Sequence, residues 1–127
     1  MKIRVVVITA IILGLFNCFT LYALNGLTMK TLSIYVVQVG RYQNQQNADE
    51  MINNLKNNNL ASYQYQNEDI IVINDIYLNQ QEANEKAKAI SELAITCVVK
   101  EYEVDLSLKQ EIEKKEYNKV YEEIIND

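Results

Sequence analysis

A seven-residue pattern occurs twice in this chain, 35 positions apart. Tyr42-Gln43-Asn44-Gln45-Gln46-Asn47-Ala48 is answered by Tyr77-Leu78-Asn79-Gln80-Gln81-Glu82-Ala83, so both copies read Tyr-x-Asn-Gln-Gln-x-Ala. Each copy follows a β-branched run and precedes a stretch of helical periodicity. A strand-to-helix junction used twice predicts an internal duplication of a strand-loop-helix unit. A solenoid needs at least three repeats, so two copies point to one duplicated domain.

The flanking sequence supplies the other elements. Residues 33–39 are rich in Val, Ile and Tyr and read as a buried strand that ends at Gly40. Asn47 is placed to cap the first helix, with Glu50 three residues on as in a capping box. Ala48, Met51, Ile52 and Leu55 then share one helix face. Asn57-Asn58-Asn59 breaks that helix, because Asn tolerates left-handed backbone. Residues 61–66 alternate and put Tyr63 and Tyr65 on one face of a second strand. A turn at Asn67-Glu68-Asp69 leads into a β-branched third strand at 70–73. A second helix is expected over 80–95, with Ala83, Ala87, Ile90 and Ala94 toward a core, and a fourth strand over 97–104. Strand-helix-strand-strand-helix-strand is the order of the α+β, ferredoxin-like split βαββαβ fold. Two helices then cover one sheet face and the other is left open.

The duplicated domain, at 33–104, is not the whole chain. Residues 3–24 are almost continuously apolar, with Arg4 and Asn17 the main interruptions. About 20 apolar residues span a bilayer core, so 1–26 reads as a transmembrane anchor and 27–32 as a short linker. The alternative is a cleaved signal peptide cut near Ala23, but the run exceeds the ~7–15 residues usual for such a core. Lys2 and Arg4 stand at the start of the run and Lys30 follows it, which puts the N-terminus in the cytoplasm and the domain outside. After the fourth strand, 105–127 holds an amphipathic helix, placed at 110–126. Tyr117, Val120, Tyr121 and Ile124 form its apolar stripe.

Composition excludes several functions. The 12 basic and 17 acidic residues leave a net charge of −5, whereas a nucleic-acid binder needs a basic face. There is no His, and the two cysteines, Cys18 and Cys97, lie in an apolar run and a strand. They offer neither a zinc set nor an internal disulfide. No Ser or Cys stands in the context of an activated nucleophile. The acidic pairs Asp49-Glu50, Glu68-Asp69 and Glu122-Glu123 sit in polar stretches rather than a cleft. The chain is read as a non-enzyme without cofactor or metal.

Residues 35–103 resemble the SPOR domain, the sporulation-related repeat of bacterial envelope proteins. The resemblance rests on Val37-Gln38-Val39-Gly40-Arg41-Tyr42 and Ala48 in the first half. In the second half Tyr77 and Ala83 are kept, and Asn74, Asp75 and Ile76 replace the usual Val, Gly and Pro. Ile71 stands where an Arg is usual. The resemblance implies a membrane-anchored cell-envelope protein that binds peptidoglycan glycan strands through the open sheet face, in cell division or sporulation. Envelope or division-complex proteins are the other partners it implies. The rival reading is a membrane-tethered protein-interaction module with the same fold and no glycan site.

Four residues are candidates for glycan contact. Gln38 lies between two valines, and if these face the helices it faces the open side, where it hydrogen-bonds sugar hydroxyls or acetamido groups or is simply a polar residue on a solvated face. Arg41 reaches the same ligand or decorates a turn. Tyr63 and Tyr65 stack on sugar rings or pack across strands. Tyr42 and Tyr77 are read as core aromatics closing the two junctions. The resemblance implies that Ile71 and Ile73 face the open side, where they need a cover, unless the strand phase is shifted by one. The stripe on 110–126 is the candidate cover. A lone helix of that length is marginal in water, so it is expected to fold back over the sheet and limit access to Gln38.

Overall fold

A computed structural model describes residues 30–127. The expected anchor at 1–26 and residues 27–29 of the linker lie outside them. Among the described residues no helix is long and apolar enough to cross a membrane.

Residues 32–127 form one compact unit. Its elements are β1 (Thr31–Tyr42), α1 (Gln45–Asn57), β2 (Tyr63–Asn67), β3 (Asp69–Tyr77), α2 (Gln80–Ser91) and β4 (Val98–Asp105). A 3-10 turn (Leu106–Leu108), α3 (Lys109–Glu113) and α4 (Asn118–Asn126) come after β4. The strands form one sheet in the order β2-β3-β1-β4, with β3 antiparallel to both β1 and β2. This α+β arrangement is compatible with the split βαββαβ pattern.

Each residue of the duplicated pattern has a structural task, and the same one in both copies. Tyr42 and Tyr77 end β1 and β3 and pack on the helix side of the sheet. Asn44 and Asn79 are the N-caps, their side chains accepting hydrogen bonds from Asn47 N at 3.0 Å and Glu82 N at 3.1 Å. An Asn oxygen here satisfies one of the donors that a helix start leaves open. Ala48 and Ala83, each 0 % exposed, let the helices approach the sheet. The cap of α1 is therefore Asn44, not Asn47. Both residues could cap, but only Asn44 leaves Ala48 on the buried face.

The duplication extends into the sheet register. Moving every residue by 35 turns the pair Val36–Ile76 into Ile71–Arg41, and Tyr35–Tyr77 into Ile70–Tyr42; all four pairs are present. The pair Gln38–Ile73 maps onto itself, so a local two-fold axis passes through it. Register slips flank that pair on both sides. One extra residue stands in each strand, at Val39 in β1 and at its counterpart Asn74 in β3. Such bulges reverse the facing of the residues beyond them. β1 accordingly continues past Gly40 to Tyr42 rather than ending at the glycine.

Other boundaries also differ from the sequence reading. α2 stops at Ser91, and Ala94 is exposed in left-handed backbone at φ 61°. Ile95, 3 % exposed, takes the core place expected of Ala94. Asn59 at φ 57° ends α1 as the Asn run implied.

The sheet face opposite α1 and α2 is covered, as the apolar stripe on 110–126 implied, but by a different arrangement. The helix layer buries Val37, Val39, Leu55, Val72 and Ile90 against α1 and α2. The opposite face carries Ile34, Val36, Tyr65, Ile71, Ile73 and Val104, and it is covered. Leu108, Ile112, Tyr117, Val120 and Ile124 pack onto it, each worth ~1.5–3 kcal/mol when fully buried. The domain is thus a three-layer sandwich. The cover is not one helix over 110–126 but two short helices, broken where Lys115 takes φ 62°. A straight helix could not have delivered both Ile112 and the Tyr117 stripe to one flat sheet.

Candidate functional site

The four residues singled out from sequence come together on the covered face. Gln38 is paired with Ile73, and Ile73 with Tyr63; Arg41 is paired with Ile71, and Ile71 with Tyr65. Paired residues in an antiparallel sheet share a face, so these are two neighbouring rows across β1, β3 and β2. In a regular strand Gln38 and Arg41, three positions apart, would point to opposite sides. The bulge at Val39 brings them to the same side.

Access differs along the rows. Gln38 is 9 % exposed and Tyr65 6 % exposed, whereas Tyr63 is half-buried. The Tyr121 ring lies flat on Tyr65, centroids 4.7 Å apart at 15°. Tyr117 meets Tyr63 edge-on at 5.0 Å and 66°, and packs on Tyr121 at 6.0 Å. Both aromatic platforms expected to take sugar rings are thus occupied by aromatic rings of this chain. Burial pushes the Tyr65 phenol up to about 12, with Tyr102 beside it adding to the shift. Burial likewise raises Tyr117 and Tyr121. Arg41 sits at the open end of its row and donates from Nε to Asp69 Oδ2 at 2.8 Å. That hydrogen bond, the largest influence on the guanidinium, raises its pKa further.

Asp75 is the residue that sequence reading missed. It is the counterpart of Gly40, and it stands in the β3 bulge at 8 % exposure. Its carboxylate accepts from the Tyr117 hydroxyl, from Lys115 Nζ at 2.7 Å and from Ile76 N at 2.8 Å. It pins the cover to the sheet at the break between α3 and α4. An Asp inside the apolar run Ile73-Asn74-Asp75-Ile76 was the available signal, since a buried carboxylate needs partners from elsewhere. At the first copy the Tyr42 ring lies over Gly40 and fills the space of a side chain.

Outside this face the duplication makes a pair of shallow clefts, about 380 and 360 Å³. Tyr42, Asn47, Glu50, Met51 and Asn54 line one; Tyr77, Glu82, Glu85, Lys86 and Ala89 line the other. The second set is the first shifted by 35 throughout. Only the Tyr and one Glu are the same in both. A third cleft of about 300 Å³ opens where Tyr63 and Gln64 meet Lys115, Asn118 and Tyr121. Among the described residues no group of His, Cys, Asp or Glu could hold a metal ion.

The fold and this face define an α+β sandwich with a polar and aromatic patch on one side of its sheet, closed by the chain's own C-terminal segment. No known protein family, curated protein or solved structure matches the chain.

Proposed function

We propose that the chain is a membrane-tethered envelope protein whose SPOR-like domain binds peptidoglycan glycan strands outside the membrane. One observation carries the reading: Gln38, Arg41, Tyr63 and Tyr65 lie in two adjacent rows on one face. Amide, guanidinium and phenol groups around flat rings suit sugar hydroxyls, acetamido groups and apolar sugar faces. The apolar run at 3–24 supports the tether, and the order of elements supports the SPOR-like fold.

The test is co-sedimentation of the full chain, in detergent, with isolated sacculi freed of stem peptides. Binding is expected, and Gln38→Ala weakens it by ~0.5–1.5 kcal/mol, one hydrogen bond to a neutral group. Protein left in the supernatant at every sacculus concentration overturns the reading. The second reading, a protein-interaction module without glycan binding, is favoured by the closure over Gln38 and Tyr65. It gains ground if cross-linking in membranes captures envelope proteins while sacculi capture nothing.

A further inference from the structure

We infer that residues 106–126 are a displaceable latch: a segment that opens as a unit while the β-sheet and its α1/α2 layer stay folded, and that excludes ligand from the Gln38/Tyr63 face when closed. What the latch excludes rests on the glycan reading above; that it opens does not.

Four observations support a separable segment rather than a fixed third layer. The duplicated domain is complete without it: both copies of the pattern, both caps and the α1/α2 core lie before residue 106. Its grip imitates a ligand's. Tyr121 lies on Tyr65 as a flat sugar face would, and Tyr117 abuts Tyr63. Among the described residues its side-chain hydrogen bonds to the rest of the domain gather at two places: Asp75 with Lys115 and Tyr117 at the break between the helices, and Asp105, whose N–H donates to Glu123 Oε2 at 2.8 Å and whose Oδ1 accepts from Ser107 N at 2.9 Å. The closed state also carries local costs. Glu111 Oε2 is buried without a hydrogen-bond partner, and Lys115, a non-glycine residue, holds φ 62°. A buried carboxylate oxygen without a donor is unfavourable, as is left-handed backbone at a side chain with a Cβ. Both costs lie within 106–126 and lower the stability of the segment itself.

Opening also uncovers the site in a useful order. The half-buried Tyr63 and the exposed Arg41 flank the closed region. A strand touching them first gains the buried row beneath only when Tyr117 and Tyr121 leave. Apparent affinity is then the intrinsic affinity reduced by the fraction of molecules open.

Native-state hydrogen exchange on the full chain in detergent tests the opening without any ligand. The amides of 106–126 are expected to exchange at least ~10-fold faster than the paired amides of β1 and β3, through an opening that leaves α1 and α2 protected. Exchange of the cover and the sheet at one common rate, in one cooperative event, overturns the latch and makes the segment a core layer. The Val120→Asp chain then tests what is excluded. With the cover released and the sheet still protected, binding to stripped sacculi is expected to rise ~10-fold or more. If 106–126 exchanges fast and binding does not rise, the opening stands and the glycan reading falls. If Val120→Asp unfolds outright, the wild-type exchange measurement still decides.

Discussion

The attachment at Asp75 gives the sharpest quantitative test of how the third layer is held. Tyr117→Phe removes a hydroxyl from a ring that is 3 % exposed and keeps the ring's packing on Tyr63 and Tyr121. What it removes is a hydrogen bond to a carboxylate, ~1.5–3 kcal/mol net. Asp75→Ala removes more. It strands the buried Tyr117 hydroxyl and the Ile76 amide, at ~1–3 kcal/mol for each unsatisfied group. It also breaks the pair with Lys115, whose side chain is 50 % exposed, so that contact adds under ~1 kcal/mol. Together these losses come to ~2–7 kcal/mol. In the double variant the hydroxyl's loss is already counted once, so the two changes couple by ~1.5 kcal/mol or more. Urea unfolding of residues 32–127, followed by far-UV circular dichroism, measures all three differences. A coupling below ~0.5 kcal/mol would refute the reasoning. It would mean that the aromatic and aliphatic contacts hold the cover and that Asp75 finds water instead.

The caps, the glycine and the buried tyrosines each carry an expectation of their own. Asn44→Ala and Asn79→Ala should each cost ~1 kcal/mol in the same assay and add in the double variant, since the caps belong to separate helices; a cost at one site only would break the equivalence of the copies. Gly40→Ala should destabilise by ~1–3 kcal/mol because its methyl meets the Tyr42 ring, the usual cost of overpacking; the Tyr42→Leu background should remove most of the loss. The domain should also loosen in alkali, as read by circular dichroism. Below pH 10 the tyrosines are protonated folded and unfolded alike. Above it the unfolded chain releases protons that the folded state keeps, with Tyr65 and Tyr77 held up to about 12 chiefly by burial. Stability therefore falls from pH 10 upward by ~1.4 kcal/mol per unit for each such tyrosine; flat stability from pH 10 to 12 would show that the rings are solvated.

Legibility of the sequence tracked the range of the interactions. The junctions were readable because a Tyr, an Asn and an Ala at fixed spacing do local work: ending a strand, capping a helix and allowing close approach. That Tyr63 and Tyr65 share a face was readable from alternation, whereas the facing of Ile71 and Ile73, in an unbroken β-branched run, came only from the SPOR resemblance. That 110–126 lies over the sheet was readable from two apolar stripes that each lacked a partner. What stayed hidden depends on pairing between distant strands. The bulges at Val39 and Asn74 exist only relative to a neighbour, so the strand end was placed at Gly40 and the role of Asp75 was missed. The break at Lys115 was hidden for a related reason, since the alternating Lys and Glu around it suit a continuous helix. The cap was misplaced because Asn44 and Asn47 offer the same chemistry three residues apart. The choice between them is made by Ala48 against the sheet.

The order in which this domain comes into being bears on its fate. The cover is encoded after all four strands, so during synthesis the sheet precedes its third layer. Until residues 106–126 emerge, Tyr65, Ile71 and Ile73 form an apolar surface on a chain already long enough to fold. Such surfaces make partly made chains prone to aggregate. Fast emergence of the cover shortens that interval. Proteolysis near Leu106, which is 45 % exposed, would return the mature protein to the same sticky condition.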